Sequence, residues 1–259
     1  MSAIEFPAFL QSILADMSLP AVLFLLVAAL VAGLARGFSG FGGALIFVPL
    51  ASAATEPRLA AALLLIVDGI LTLGLLPDAW RRANRWEVAT MIAGALIGIP
   101  VGTAILALTP PITLRWIISG IVLGLLVFLA SGWRYHGRPK LPLTIATGGV
   151  AGVFSGVAQL GGPPVVAYWL GGAITAATVR ANLVLYFVLS SAISAATYMM
   201  GGLLTMEAIV LSSVICPAYG VGLFTGARLF GFANETTFRR ICFMLIGLAA
   251  VIGMPLFDK

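Results

Sequence analysis

The chain has 259 residues, of which 61% are hydrophobic and only 9% are charged, against about 25% charged residues in an ordinary soluble domain. This composition excludes a soluble globular protein and predicts an all-α polytopic membrane protein with the lipid bilayer as its surroundings. The net charge of +5 does not indicate a nucleic-acid partner. The basic residues stand singly or in short clusters between apolar runs, which is how membrane proteins set their orientation.

Apolar runs divide the chain into ten segments, several of which approach the roughly 20 residues that span hydrocarbon. The predicted segments are 19–36, 42–54, 58–77, 87–108, 113–133, 141–158, 161–173, 178–200, 207–228 and 237–257. The second and seventh are too short to cross the bilayer. Each is either half of a broken helix or one arm of a re-entrant hairpin.

The positions of the basic residues predict the orientation of these segments. With the N-terminus outside, eleven of the fourteen Lys and Arg residues fall on the cytoplasmic side, and only Arg58, Arg115 and Lys259 fall outside. Such an excess is the positive-inside pattern. We therefore expect a multi-pass protein of the cell (inner) membrane with both termini outside.

A Gly-rich motif in the first half has a counterpart in the second. The stretch GLARGFSGFGGALIFVPL at 33–50 shares four glycine positions with GVFSGVAQLGGPPVVAYW at 152–169, all at an offset of 119 residues. Further on, Arg58 pairs with Arg180 at an offset of 122, and Arg115 with Arg239 at 124. A slowly drifting offset over this length is typical of an internal repeat.

The repeat predicts how the chain is organised. The first transmembrane repeat covers 19–133, a basic cytoplasmic loop covers 134–140, and the second repeat covers 141–257. Since each repeat has five segments, an odd number, the second enters the membrane from the opposite face. Inverted repeats with broken or re-entrant helices at the midplane are typical of secondary transporters.

The two Gly-rich motifs are the candidate substrate site. Irregular backbone at membrane depth survives only where it lines protein or water, and a helix that begins there exposes N–H groups that bind anions. The alternative is that the glycines only let helices pack closely. The candidate substrate-binding residues are Ser39, Gly42, Gly43, Ser155, Gln159, Gly161, Gly162, Arg180, Asn182 and Arg36.

Three ionisable residues in or beside the membrane segments are candidates for a role in transport. Asp68 is the only acid well inside an apolar segment, and a charge there costs roughly 2.5–3.5 kcal/mol on insertion scales. We expect it to be a proton-coupling site or the structural partner of an arginine. Arg36 and Arg180 either bind an oxyanion through the planar guanidinium or anchor the cytoplasmic side of their helices.

The motifs resemble the sulfite exporter TauE/SafE family over nearly the whole chain. The resemblance rests on Gly40, Gly42, Gly43 and Pro49 in SGFGGALIFVPLA, and on Gly156, Gly161, Gly162, Pro163 and Pro164 in SGVAQLGGPPVVAYWL. The chain departs from the family in having Ala44 where a third Gly is frequent, and it has Tyr168 where its own first repeat has Pro49. The resemblance implies transport of sulfite, sulfonates or other small sulfur-containing anions, usually outward.

These observations together predict a secondary transporter that exports a small anion. An anion channel and a proton-coupled uptake carrier for a small organic anion are the alternatives. An intramembrane enzyme is not expected, because the membrane segments contain no His/Glu metal motif and no second acid beside Asp68. We expect no cofactor and no metal. The small-residue faces of the segments make a homodimer a possible partner arrangement.

Overall fold

The computed structural model describes residues 17–135, 137, 140–171, 175–229 and 235–256. All regular structure in these residues is helical, which confirms the predicted all-α class. The helices are α1 (Leu19–Ser39), α2 (Gly43–Ala54), α3 (Pro57–Leu73), α4 (Leu76–Arg82), α5 (Arg85–Leu108), α6 (Pro111–Ala130), α7 (Leu141–Ala158), α8 (Gly162–Leu170), α9 (Ala176–Met200), α10 (Met206–Leu229) and α11 (Glu235–Gly253). Both chain termini and part of the 134–140 loop, whose sides of the membrane the sequence predicts, lie outside the described residues.

Six of these helices are long and apolar enough to cross a membrane: α1, α5, α6, α7, α9 and α10. Helices α3 and α4 are joined by a bend of 67° and make a seventh span if they are counted as one. The chain is therefore a multi-span membrane protein.

Helix α4 is the element that the sequence pattern missed. The predicted segment 58–77 ends early, at Leu73, and a separate short helix occupies what was predicted as a loop. Pro77 favours the first helical turn, and Asp78 forms a 2.8 Å ion pair with Arg82 one turn later. Pro77 and the Asp78–Arg82 pair thus favour a short helix in a stretch that its hydropathy alone predicts to be a loop.

The two short helices fold back against the helices that precede them. A Cβ built on Gly43 would lie 3.0 Å from the Arg36 Cβ and 3.1 Å from the Ala32 carbonyl oxygen, so α2 begins alongside the last two turns of α1. A Cβ built on Gly161 would likewise meet the Ser155 hydroxyl and the Ala151 carbonyl of α7. Of the two arrangements that the sequence leaves open, α1–α2 and α7–α8 therefore form helical hairpins.

The two turns have nearly the same backbone geometry. Gly40 and Gln159, separated by the repeat offset, are both left-handed, with φ of 81° and 60°. Gly42 and Gly161 then both take right-handed dihedrals, −73°, −12° and −69°, −8°, before the next helix. This similarity is what a repeat predicts, although the inverted relation of the halves stays a prediction.

The closest helix packing runs between the halves. In α1, a Cβ on Gly33 or Gly37 would clash with carbonyl oxygens of α10, and in α5 a Cβ on Gly94 or Gly98 would clash with carbonyl oxygens of α7. Glycine spacings of this kind let membrane helices approach to backbone contact. The glycine faces of α1 and α5 are thus covered within the monomer, whereas Gly120 and Gly124 of α6 are exposed, and the homodimer stays an untested prediction.

Two of the three basic residues predicted on the outer side bind helix ends. The Arg58 guanidinium donates to the Leu106 and Thr109 carbonyl oxygens at the end of α5, at 3.1 and 3.0 Å. Arg115 donates from Nε to the Gly253 carbonyl at the end of α11, at 3.0 Å. Cations at helix C-termini satisfy carbonyl groups that have no partner within the helix.

Candidate functional site

The two Gly-rich turns touch each other in the interior of the helix bundle. A Cβ built on Gly162 would lie 3.0 Å from the Cβ of Phe41, the residue at the centre of the first turn. The fold therefore brings the first Gly-rich motif into contact with the second. Any side chain at position 162 would push the two turns apart.

A small cavity lies beside this contact. The volume open to the centre of a water molecule is about 40 Å³, which is room for roughly three waters. The lining residues are Arg36, Phe41, Ala44, Leu64, Leu65, Asp68, Ser155, Gln159, Gly161, Gly162, Phe187, Ser190, Ser191 and Tyr219. Helices of both halves thus enclose it, and six of the eleven residues singled out from the sequence (ten binding candidates and Asp68) line it.

Arg36 and Asp68 form an ion pair in the cavity wall. The Arg36 Nε and Nη2 atoms donate to the two carboxylate oxygens of Asp68 at 2.9 and 3.3 Å. Tyr219 of α10 donates its hydroxyl to Asp68 Oδ1 at 2.8 Å. Asp68 therefore has the arginine partner that the sequence proposed as one of its two roles, and it also faces the cavity.

The position of Arg36 differs from that of a headgroup anchor. Its side chain is only 12% exposed, and its guanidinium carbon lies 4.9 Å from the centre of the Phe187 ring, a cation–π distance. Arg36 is thus held by a carboxylate on one side and an aromatic face on the other. Since the charges of Arg36 and Asp68 offset each other, the resting cavity carries little net charge.

The start of α8 supplies backbone donors to the same cavity. The N–H groups at the beginning of a helix have no acceptor within it, and at this end Pro163 and Pro164 have no N–H at all. At this helix start Gly161 and Gly162 are therefore the residues that have N–H groups to donate, and both line the cavity. The positive end of the helix dipole lies at the same place.

In the first Gly-rich turn, the predicted ligand contacts Ser39 and Gly42 form hydrogen bonds within the turn itself. The Ser39 hydroxyl donates to the Ala35 carbonyl at 2.7 Å and accepts the Gly42 N–H at 3.0 Å. Both groups that the sequence offered as ligand contacts are thus used to hold the turn, and they lie outside the lining of the cavity. Gly43 allows close packing, since a Cβ there would lie 2.8 Å from the Tyr219 hydroxyl.

Ser155 and Gln159 lie on the cavity side of the second turn. Gln159 is, among the described residues, the one non-glycine residue with a positive φ, a conformation that costs about 1–2 kcal/mol. Its Nε2 donates to the Tyr198 hydroxyl at 3.4 Å, and that hydroxyl donates to the Gly156 carbonyl at 2.9 Å. A non-glycine residue kept in a strained position at a cavity suggests that its side chain has a function there.

Arg180 and Asn182 do not reach the cavity. Asn182 is fully buried, and its Oδ1 accepts the Asn84 N–H at 2.7 Å, so it ties α9 to the turn before α5. Arg180 is exposed one turn from the start of α9. The structure gives both residues positions that suit anchoring and helix connection.

Eight of the fourteen lining residues were not among the candidates from the sequence: Phe41, Ala44, Leu64, Leu65, Phe187, Ser190, Ser191 and Tyr219. In a single sequence, a Tyr or Phe in an apolar segment looks like any other residue of a membrane helix. The pair Ser190–Ser191 in VLSSAIS was a weak polar signal. In the described residues, no three His, Cys, Asp or Glu side chains lie close enough to hold a metal ion.

Comparison with known proteins gives one match. The model of the family described as sulfite exporter TauE/SafE matches residues 25–253. No curated protein and no solved structure was found to be similar to the chain. The match covers all of the cavity residues and both Gly-rich turns.

Proposed function

Since the chain belongs to the sulfite exporter TauE/SafE family and is a transmembrane transporter, we propose that it exports sulfite or a short organosulfonate across the cell (inner) membrane through this cavity. The proposal depends on one observation. The two Gly-rich turns meet at a cavity that contains an Arg–Asp pair and the N-terminal amides of α8. Those groups suit a small oxyanion, whose oxygens accept several hydrogen bonds at once.

In this site the anion accepts from the Gly161 and Gly162 amides, and the Ser155 hydroxyl and the Gln159 amide complete its surroundings. Arg36 supplies the full positive charge. Because its guanidinium is engaged by Asp68, the anion competes with the carboxylate for it. That competition keeps binding weak enough for release, which a transporter requires.

The membrane potential favours the outward direction. With the interior negative, a monoanion that leaves gains about 2.3 kcal/mol per 100 mV. Export therefore needs no second ion, whereas uptake needs a cotransported cation. In the orientation predicted from the sequence, the basic loops lie on the cytoplasmic side, which is the side that the anion leaves.

Proton-coupled transport is a second candidate, and the position of Asp68 favours it. A proton on Asp68 neutralises the carboxylate that holds Arg36. The arginine then binds the anion without competition, so proton and anion occupy the cavity together. A channel with the same site would instead conduct without saturation.

The test is sulfite flux in liposomes that contain the purified protein. We expect saturable flux and counterflow exchange in the wild type, and at least a tenfold loss in Arg36→Gln, because the only full positive charge lining the cavity is removed. Arg82→Gln is the matched control, since that arginine is exposed and pairs with Asp78 on α4. Ohmic current would contradict a carrier, and equal flux in both variants would contradict the site.

A further inference from the structure

A second and larger cavity lies on the other side of the first Gly-rich turn. The volume open to the centre of a water molecule is about 200 Å³. Its lining is mainly apolar but contains two arginines. Its lining residues include Phe38, Phe41, Arg134, Arg239 and Cys242.

Phe41 is the one residue that lines both cavities. Of its neighbours in the chain, Ala44 lines the small cavity, whereas Ser39 and Gly42 line the large one. Phe41 is therefore the residue at which the two spaces border each other. An apolar constriction at such a border closes an ion path because water leaves it.

Phe41 lies in a turn whose backbone is held by Ser39, because the Ser39 hydroxyl accepts the Phe41 and Gly42 N–H groups at 3.4 and 3.0 Å. Gly40 precedes Phe41 with φ of 81°, and Gly42 and Gly43 follow it. A Cβ on Gly40 would meet no atom within 4 Å, so the turn has open space on that side.

The two arginines make the large cavity suitable for an anion. Arg134 and Arg239 are both exposed and both line it, and the described residues that line it include no acid. Both arginines are on the cytoplasmic side in the orientation predicted from the sequence. Exposed charges act over about 8 Å at physiological ionic strength, so the cavity raises the local concentration of anions.

We infer that the large cavity is the entry vestibule for the anion and that the Phe41 ring is the gate between this vestibule and the binding site. The inference builds on the proposed function, because it supplies the route by which the anion reaches the small cavity. The occupant of the vestibule is water with a small anion. In this structure Phe41 lines both cavities, and we assign this arrangement to the closed state of the gate.

The experiment measures how fast a cysteine in the small cavity reacts with thiol reagents. Both native cysteines are removed as Cys216→Ser and Cys242→Ser, and Ser155→Cys serves as the reporter. Two methanethiosulfonates are compared, one with an ethylsulfonate group and one with an ethyltrimethylammonium group. We expect Phe41→Ala to raise the rate with the sulfonate reagent at least tenfold.

Phe38→Ala is the matched control, because Phe38 lines the vestibule but not the small cavity. It should leave the rate unchanged. In the Phe41→Ala background, the sulfonate reagent should react faster than the cationic one, and Arg134→Gln with Arg239→Gln should remove that preference. Phe41→Leu, which keeps an apolar side chain of intermediate size, should give an intermediate rate if Phe41→Ala does not fold.

Three results would overturn the inference. The gate is wrong if the Phe41 variants react at the wild-type rate, or if Phe38→Ala accelerates the reaction equally. The vestibule is wrong if the arginine variants leave the reagent preference unchanged. Sulfite flux measured separately distinguishes the proposals: flux without an effect of Phe41 on labelling rejects only the gate, and labelling effects without flux reject only the transport function.

Discussion

Replacing Asp68 by Asn tests how the Arg–Asp pair controls anion affinity. The substitution keeps the shape of the side chain and removes the negative charge that engages Arg36. An anion that binds the Arg36 guanidinium beside Asp68 would stand on the order of 5 Å from the carboxylate, because both would contact the same guanidinium. At an effective dielectric constant of about 20, two unit charges at this distance repel each other by about 3 kcal/mol.

Removing that repulsion is expected to lower the Kd for sulfite by roughly a hundredfold. The variant should also transport more slowly at saturation, because the anion leaves the unopposed arginine slowly. Without sulfite it should be less stable than the wild type, since Arg36, at 12% exposure, is left without its carboxylate. Ligand binding then restores stability by mass action.

Thermal unfolding of the purified protein over a range of sulfite concentrations gives the Kd for sulfite and the stability of the protein without it. Asp78→Asn is the control, because it removes a carboxylate that pairs with an exposed arginine outside the cavity. A Kd for Asp68→Asn equal to or weaker than that of the wild type would refute the reasoning, since the anion then does not use Arg36. A flat pH profile of flux in the variant, where the wild type has a slope, would support proton coupling through Asp68.

Three further substitutions test other parts of the structure. Gln159→Gly should relieve about 1 kcal/mol of backbone strain and raise the unfolding temperature, while the loss of the side-chain amide lowers sulfite affinity in the same thermal assay. Gly98→Ala should destabilise the protein strongly, because the new methyl group would clash with the backbone of α7. Gly120→Ala is the control and should be neutral, because a Cβ there meets no atom within 4 Å. The unfolding temperatures of the two variants in detergent test this prediction. Arg58→Gln should cost about 1–3 kcal/mol through its two bonds to the end of α5, and unchanged unfolding in denaturant would contradict that role.

Much of the helical architecture was predictable because the bilayer imposes it. Apolar runs of sufficient length must form helices to satisfy their backbone groups, and the helices match the predicted segments except at α4. Helix α4 is specified by Pro77 and the Asp78–Arg82 pair, which are end signals that hydropathy does not measure. The two Gly-rich turns were found because irregular backbone stands out against apolar helix.

The internal partners of the site were less predictable. Asp68 accepts from Arg36, 32 positions away, and from Tyr219, 151 positions away, and only the fold decides that they meet. Ser39 looked like a ligand contact, but its hydroxyl is used by the turn in which it lies. A short polar side chain beside a Gly turn has a backbone partner within reach, and the sequence alone does not show which partner it takes.

The glycine-lined contacts between the halves have a consequence for how the protein is made. The face of α1 that carries Gly33 packs on α10, and about 170 residues of chain separate the end of α1 from the start of α10. At 5–20 residues per second, the ribosome adds them in about 10–30 s. During that interval the first helix is already synthesised while its partner is not, so lipid or the insertion machinery has to cover its glycine face. The first half therefore matures only after most of the second has been translated, and a truncated product is exposed to quality-control proteolysis.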